Sequence, residues 1–456
     1  MKKMLIVFAL VLFPVFISAQ TNTGSGNGGF YGYPMPGKGT FMGGLGMNWI
    51  DGKLYYTIHL TPEIAIKNWG VGLDLQLDFD QKGKLRTENF NEFTDYLSII
   101  RYVRYGLKND PVFVKVGALD YYTLGHGTII DYYNNSPTFD ARKIGMVSDI
   151  DFGKFGFESI YSNFLQAGLV GIRGYFRPFQ FTEQADLPII GGLEIGATYA
   201  SDFNNKAGII SGYYDKTKRV FVTTSDNGSM NIIGIDVGLP LLKAGLLDVT
   251  LYTDYSKIIN FGSGIATGLK FDINALGAVQ GLIKLERRFN RDQYLPSYFN
   301  SLYEVERFQV DTAKGTFTSK AARLASVVDP GNGYYGELGL NVVGLFYVAG
   351  SYQRLDKDPN SGILHIGTEI NPENGSFVAR AGYDKVNIRG ESDLFRLDDR
   401  SYLFTELGYK VTPYLLVSIV YNWTFAPVRD VNDKIIDYKP QKRIEPRISL
   451  IFPMQF

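Results

Sequence analysis

The chain contains no cysteine, which excludes a disulfide framework, a thiol nucleophile and a thiolate metal site. Histidine is nearly absent. His59, His126 and His365 stand far apart without metal-ligand spacing, and no G-x-S-x-G elbow occurs. An enzyme is therefore not expected, nor is a bound cofactor or metal. Neither charge is in excess, 46 Lys and Arg facing 46 Asp and Glu, which argues against a nucleic-acid partner. Long apolar runs are missing too. Beyond the first 19 residues the longest, Val342 to Gly350, has nine residues, well short of the roughly 20 that a membrane-crossing helix needs.

What the chain has in quantity is glycine (51), tyrosine (31) and phenylalanine (32) among its 456 residues, a composition that favours strands and turns. Its start reads as an export address. Lys2 and Lys3 precede the apolar run Met4 to Ser18, and Ala19 supplies a small residue for cleavage, so residues 1–19 read as a signal peptide. Residues 20–40 are Gly-rich without periodicity and read as a flexible leader. Gly24, Gly26 and Gly29 match G-x-G-x-x-G, but no strand precedes them and no helix follows, so a dinucleotide site is not expected.

From Phe41 onward one unit recurs: a long alternating run, then a turn. Val71, Leu73, Leu75, Leu77 and Phe79 oppose Asp74, Gln76 and Asp78, and Leu247, Val249, Leu251 and Tyr255 oppose Asp248, Thr250, Tyr252 and Asp254. Period 2 over such lengths predicts strands with two chemically different faces. Soluble strands average about 5–6 residues, whereas a tilted membrane-crossing strand takes about 9–11, and these runs match the second figure.

The connectors alternate in length. Long polar ones are expected at 81–93, 120–140, 201–229, 290–331, 390–400 and 426–441. Tight ones are expected at 108–110, Gly153, 273–276, 374–375 and 411–413. The connectors at 51–52, 163–166 and 258–261 are short although they fall on the long-loop side. Long loops at one end and short turns at the other predict a transmembrane, antiparallel up-and-down β-barrel over residues 41–456, all-β, with about 20 strands (16 to 20).

The last strand carries a resemblance. Ile444, Ile448, Leu450, Phe452, Met454 and Phe456 share one face, opposed by Arg443, Glu445, Arg447, Ser449 and Gln455. Ending on an aromatic of the lipid face resembles the terminal signal of bacterial outer-membrane barrels. The overall pattern looks like a porin-type protein of a Gram-negative cell envelope. The resemblance implies an outer-membrane location, contact with outer-membrane lipid, and reading of Phe452 and Phe456 by the barrel-assembly machinery. It also allows a homo-oligomer. Pro453 departs from the pattern and must sit where its missing N–H is not needed.

A barrel of about 20 strands leaves a lumen too wide for side chains to fill, so water or a plug must occupy it. Glu158, Arg173, Lys270, Lys284, Glu286, Arg443 and Arg447 are the pore-lining candidates, of mixed sign. Arg101 and Arg104 cannot both face inward without a bulge. By analogy with the inward-folding third loop of porins, Asp120, Tyr121, Tyr122, His126, Asp131, Tyr132 and Tyr133 are candidates for a constriction loop, with a Gly125-His126-Gly127 bend. The competing reading is an outward loop stabilised by its own rings. His126 with Asp120 or Asp131 is the nearest approach to a catalytic pair. Asp356, Asp358 and Asn360 resemble the start of a calcium loop, but Gly362 is one place late and no Glu follows. Tyr102, Tyr105, Phe155, Phe157, Tyr175, Phe176, Tyr402, Phe404 and Trp423 are read as interfacial girdles. The function expected is passive diffusion of small polar solutes. The alternative is a non-transport barrel serving structure, adhesion or secretion.

Overall fold

The alternating runs pair into one sheet. The structure, a computed structural model, describes residues 39–454 except 91–92, 109, 276, 343–344 and 373–374. The expected signal peptide, nearly all of the expected leader and Phe456 lie outside the described residues, and the first strand already begins at Gly39. The described residues form a 22-stranded antiparallel sheet with two separate hairpins. Two strands are interrupted in register: Lys53–Leu60 continues as Glu63–Ile66, and Trp69–Leu73 continues as Leu75–Phe79. Counting each pair as one leaves twenty wall strands. The first strand, Gly39–Ile50, pairs on one side with Lys53–Leu60 and on the other with the last strand, Ile435–Met454. The ladder thereby returns to its start.

Burial is inverted relative to a water-soluble sheet. Glu406 and Lys385 are fully buried, whereas Leu285 is 59% and Ile448 54% exposed. In the 75–79 segment, Gln76 and Asp78 turn inward while Leu75, Leu77 and Phe79 turn out. An outward apolar face on a ladder with no free edge is what a bilayer demands, since lipid offers backbone groups no hydrogen bonds. This face pattern defines a transmembrane β-barrel of the outer-membrane type. Leu285→Arg, at the middle of the outward face of Val279–Asn290, is accordingly expected to destabilise the folded barrel by about 2–4 kcal/mol. Unfolding titrations in lipid vesicles would measure it, and a loss below about 0.5 kcal/mol would contradict the lipid-facing assignment.

Several expectations need correction. The connector foreseen at 426–441 is mostly strand, because Leu415–Arg429 and Ile435–Met454 stay paired out to Arg429 opposite Ile435. Four consecutive strands, Ile100–Tyr105, Val112–Gly117, Gly145–Asp151 and Phe155–Tyr161, have only 6 or 7 residues. There the chain leaves the wall early: Gly117, at φ +133°, packs so closely on the Arg101 backbone that a side chain would clash. The short-turn end also carries a longer segment, with 3-10 turns at Pro178–Phe181, Glu183–Asp186 and Ile190–Gly192. Tyr102, Tyr402 and Phe404 are buried inside and Tyr175 stacks against Arg173 and Arg177, so these four are lumen residues and not girdle residues. Phe155 and Phe176 do face outward.

The two sequence puzzles have local answers. The ladder shifts register between Gly72 and Leu73, leaving Arg101 as the extra residue, so Arg101 and Arg104 both reach the interior. Pro453 lies opposite Thr40. The Ile451 N–H donates to the Tyr414 carbonyl, just before the 415–429 strand begins. Two residues on, position 453 faces the same side beyond that neighbour's end, where no donor is required.

The apolar core sits inside the outer half of the barrel. Residues 118–144 and 291–331, both connectors at the long-loop end, pack Leu124, Ile129, Ile130, Phe299 and Tyr303 against inward Val147, Ile160, Ile232 and Ile258. Ile130 and Phe299 are joined by a parallel bridge. The hairpin Ile209–Asp215/Val220–Asp226 and the hairpin Phe308–Asp311/Thr316–Ser319 form a second small core through Ile209, Phe308, Val310, Phe221 and Phe317.

Candidate functional site

The 120–135 segment is held by its tyrosines, each with an apolar ring and a hydroxyl that seeks an acceptor. The Tyr121 hydroxyl donates to Asp384 at 2.8 Å and the Tyr132 hydroxyl to Glu337 at 2.7 Å. Tyr122 donates to Asp149, and Tyr133 to Glu304 of the other inserted connector. Hydrogen bonds to charged acceptors are the strong ones; those of Tyr121 and Tyr133 are buried and those of Tyr122 and Tyr132 part-buried. The tight bend needs its glycines: Gly125 and Gly127 have φ +57° and +85°, and the Gly125 N–H donates to Glu158 at 2.7 Å. Asp149 and Glu158 lie on early strands, Glu337 and Asp384 on late ones. The segment therefore reaches wall strands far apart in the ladder, and lies inside the barrel with both tyrosine pairs buried or nearly so.

At its tip the His126 ring stacks on Tyr252, with centroids 4.2 Å apart and planes 10° apart, and the His126 carbonyl accepts from Lys284 at 2.8 Å. Asp236 stands 3.7 Å from the ring, but it already accepts two hydrogen bonds from Arg173, at 2.9 and 2.6 Å. It is thus a poor counter-ion for an imidazolium. Burial first, then the charges of Arg173, Lys284 and Lys270, hold the His126 pKa well below the usual histidine range. A seated neutral ring and a released ring titrating near 6.5 make seating complete above about pH 6.5 and weaker as pH falls below it. Asp131 acts in the opposite direction. Burial pushes its carboxyl up to about 6, so its contribution is full below the ordinary aspartate range and is lost as pH rises through about 6. His126→Phe, which keeps the stacking, is expected to abolish the acid-side loosening. Protease sensitivity of 120–135 between pH 7.5 and 5 would measure it, and identical acid profiles for variant and wild type would contradict the assignment.

The seven charged candidates fall into separate places. Arg173 is a hub, 2.9 Å from Glu158, 2.8 Å from Glu194 and 2.6 Å from Asp236. Lys284 lies 3.6 Å from Glu286 and 3.5 Å from Glu337, while Glu286 also accepts from Tyr252 at 2.6 Å and pairs with Arg288. These four gather beneath the insert. Arg443 pairs with Asp140 at 2.8 Å, and Arg447 with Glu406 at 2.9 Å, on the far strands. Arg86 and Arg443 outweigh burial and hold Asp140 at about 2. Lys270, paired with Asp272 at 3.0 Å toward the short-turn end, is the most open of the seven. All are inward-facing and all are ion-paired, so they belong to a packed polar interior more than to a free wall.

Asp120 pairs with Arg101 at 2.9 Å and Lys115 at 3.4 Å, and the Asp131 carboxylate accepts from Thr123 at 3.1 Å. Neither is the partner of His126, so no catalytic pair assembles there. Asp356 and Asp358 are taken by Arg287 and Arg323, and among the described residues no cluster of three or more metal-ligand side chains occurs. Phe452 lies 41% exposed on the outer face. Sequence reading missed the second insert, where Arg307 binds Asp202 and Glu304. Its one signal was the dense aromatic run Tyr294 to Tyr303 within a long connector. Asp236, Glu337 and Asp384 were legible by extending the alternation.

No protein-family model matches the chain, and no curated protein does. Among solved structures it is similar to OccK11 (OpdR) of Pseudomonas aeruginosa, at 11% identity over 92% of this chain and 96% of that one, with a TM-score of 0.30. It is also similar to OpdK of the same organism in a structure with vanillate, at 10% identity, 91% and 98% coverage and a TM-score of 0.29. A further likeness is to Wzi of Escherichia coli, described as an outer-membrane, carbohydrate-binding β-barrel involved in group 1 capsule assembly, at 11% identity, 92% and 85% coverage and a TM-score of 0.33. At these scores the strand correspondence is loose, and the fold assignment stands on this chain's own ladder and its lipid-facing surface.

Proposed function

We propose that the chain is an outer-membrane, porin-like channel through which small polar solutes diffuse down their own gradient, with residues 120–135 constricting the lumen. The observation that carries this reading is the seating of that segment inside a polar-faced barrel, with its hydroxyls on wall carboxylates. A wall of this strand number encloses more space than its side chains fill, and the inserts narrow it while leaving charged, partly open side chains such as Lys270 and Asp272 toward the short-turn end. On this reading Phe452 and Phe456 serve the assembly machinery and the outward apolar face meets lipid. No step involves covalent chemistry.

A second reading has its own support. The two hairpins at the long-loop end share a core of their own, which suits a barrel that presents its loops to a partner and does not conduct. Single-channel recording of the refolded protein in planar bilayers separates the two. Stable ohmic steps support the channel, and silence under conditions that refold the barrel overturns it in favour of the presenting barrel.

A further inference from the structure

The outward face of the wall changes character toward the long-loop end. Leu285 and Leu338 stand on it, 59% and 54% exposed, and a polar row follows above them. Arg287 on Val279–Asn290 lies opposite Tyr334 on Asn332–Val342, and Tyr334 lies opposite Arg354 on Phe346–Leu355. Their neighbours fix the direction: Arg288, Tyr335 and Gln353 are buried in the interior, so Arg287, Tyr334 and Arg354 point out. Each lies within three residues of its strand's outer end. Arg389 follows directly on Phe377–Ile388, and its carbonyl accepts from the Arg354 guanidinium at 3.1 Å. The row's charges are unequally served. Arg287 pairs with Asp356 at 2.7 Å, and Asp358 is taken by Arg323. Among the described residues neither Arg354 nor Arg389 has a carboxylate partner. In the interior, by contrast, Arg173, Arg307, Arg380 and Arg447 each face one.

We infer that this row is a binding site for the phosphate of an outer-leaflet lipid headgroup, with Arg354 and Arg389 as the groups that hold it. A guanidinium at the edge of hydrocarbon gives up hydration on one side and gains nothing until an anion meets it. Headgroup phosphates lie at that depth, just beyond the acyl chains that Leu285 and Leu338 meet. The planar fork of N–H groups matches phosphate oxygens, and the long arginine stem reaches up to them along an apolar surface. Tyr334 and Tyr352, with ring centroids 6.2 Å apart, add rings with polar tips, which suit the same boundary. A lipid is the source because the row continues the lipid-facing surface, on the same face of the same strands. The site is independent of whether the barrel conducts.

The test is native mass spectrometry of the refolded full chain in detergent, with dioleoyl phosphatidic acid and dioleoyl phosphatidylcholine added in equal amounts. Wild type is expected to retain phosphatidic acid in preference to phosphatidylcholine, and inorganic phosphate is expected not to displace it. Arg354→Gln and Arg389→Gln are each expected to lower that preference about fivefold. Lys314→Gln, which removes an exposed charge from an outer hairpin, is expected to leave it unchanged. Arg389 lies beyond the ladder, so its variant reads the site even where the Arg354 variant fails to refold. Equal retention of both lipids by wild type, or a preference untouched by Arg389→Gln, overturns the inference. An equal loss in Lys314→Gln overturns it in favour of diffuse charge attraction, and displacement by inorganic phosphate overturns it in favour of a site for a dissolved anion.

Discussion

Excising residues 120–135 is expected to raise single-channel conductance at least about twofold, because a wall of about 20 strands encloses an aqueous lumen once its filling is withdrawn. The excision is geometrically mild. The Asn135 N–H already donates to the Leu119 carbonyl at 3.2 Å, so the ends of the segment meet and a short Gly-Ser bridge spans them. Four tyrosine-to-carboxylate bonds and the His126–Tyr252 stack disappear together. Asp149, Glu337 and Asp384 then turn to water. The excised segment also takes Asp120 and Asp131 with it, including the carboxylate that faces Arg101 and Lys115, so the widened lumen is two charges more positive and permeation shifts toward anions. Bilayer recordings of both forms in symmetric and graded salt would show larger steps and a changed reversal potential. Unchanged conductance and selectivity would mean that the segment does not narrow the conducting path.

Arg307→Met is expected to loosen the second insert by about 3–5 kcal/mol, the loss typical when one partner of a buried ion pair is removed. The Arg307 guanidinium donates to Asp202 at 2.6 Å and to both carboxylate oxygens of Glu304 at 2.7 Å. Burial opposes ionisation of Glu304, but Arg307 and Lys143 hold its pKa at about 2. Without the arginine, Asp202 loses its charged partner in the dry outer half of the barrel and Glu304 keeps only Lys143. The Tyr133 bond to Glu304 couples this to the first insert, so both connectors should become protease-sensitive together. Limited proteolysis and thermal unfolding in micelles would measure the effect. A companion Asp202→Asn change should recover part of it, because it removes one stranded charge. Loss confined to 291–331, with 120–135 still protected, would show that the inserts seat independently.

Much of the wall is legible in the alternation of residues. In Leu247–Ile258 the alternation assigns Tyr252, Asp254 and Ser256 to one face, and all three are buried. The glycine at 125 and the tyrosines around it marked a compact insert. Where the reading failed, period 2 was not the deciding physics. Tyr402 and Phe404 face inward because register counted from the ladder puts them on the face of Glu406, whereas aromatic content alone suggested the interface. The stretch 426–441 looks like a loop for its prolines and charges, yet all of it but the turn at 430–434 is strand, held in a hairpin that runs on from the wall.

The sequence by itself determined the class of protein, because the demands of lipid on a strand are local: an apolar side chain at every second position, no backbone group left unpaired, a turn at each interface. Those demands write themselves into the order of residues. What fills the lumen was decided only in three dimensions. Asp202 meets Arg307, Tyr121 meets Asp384 and Arg142 meets Asp74 across separations that no periodicity spans. Such long-range partners are chosen by the closed shape of the wall, which brings distant carboxylates to the same depth and leaves burial to select the hydroxyl or guanidinium that satisfies them.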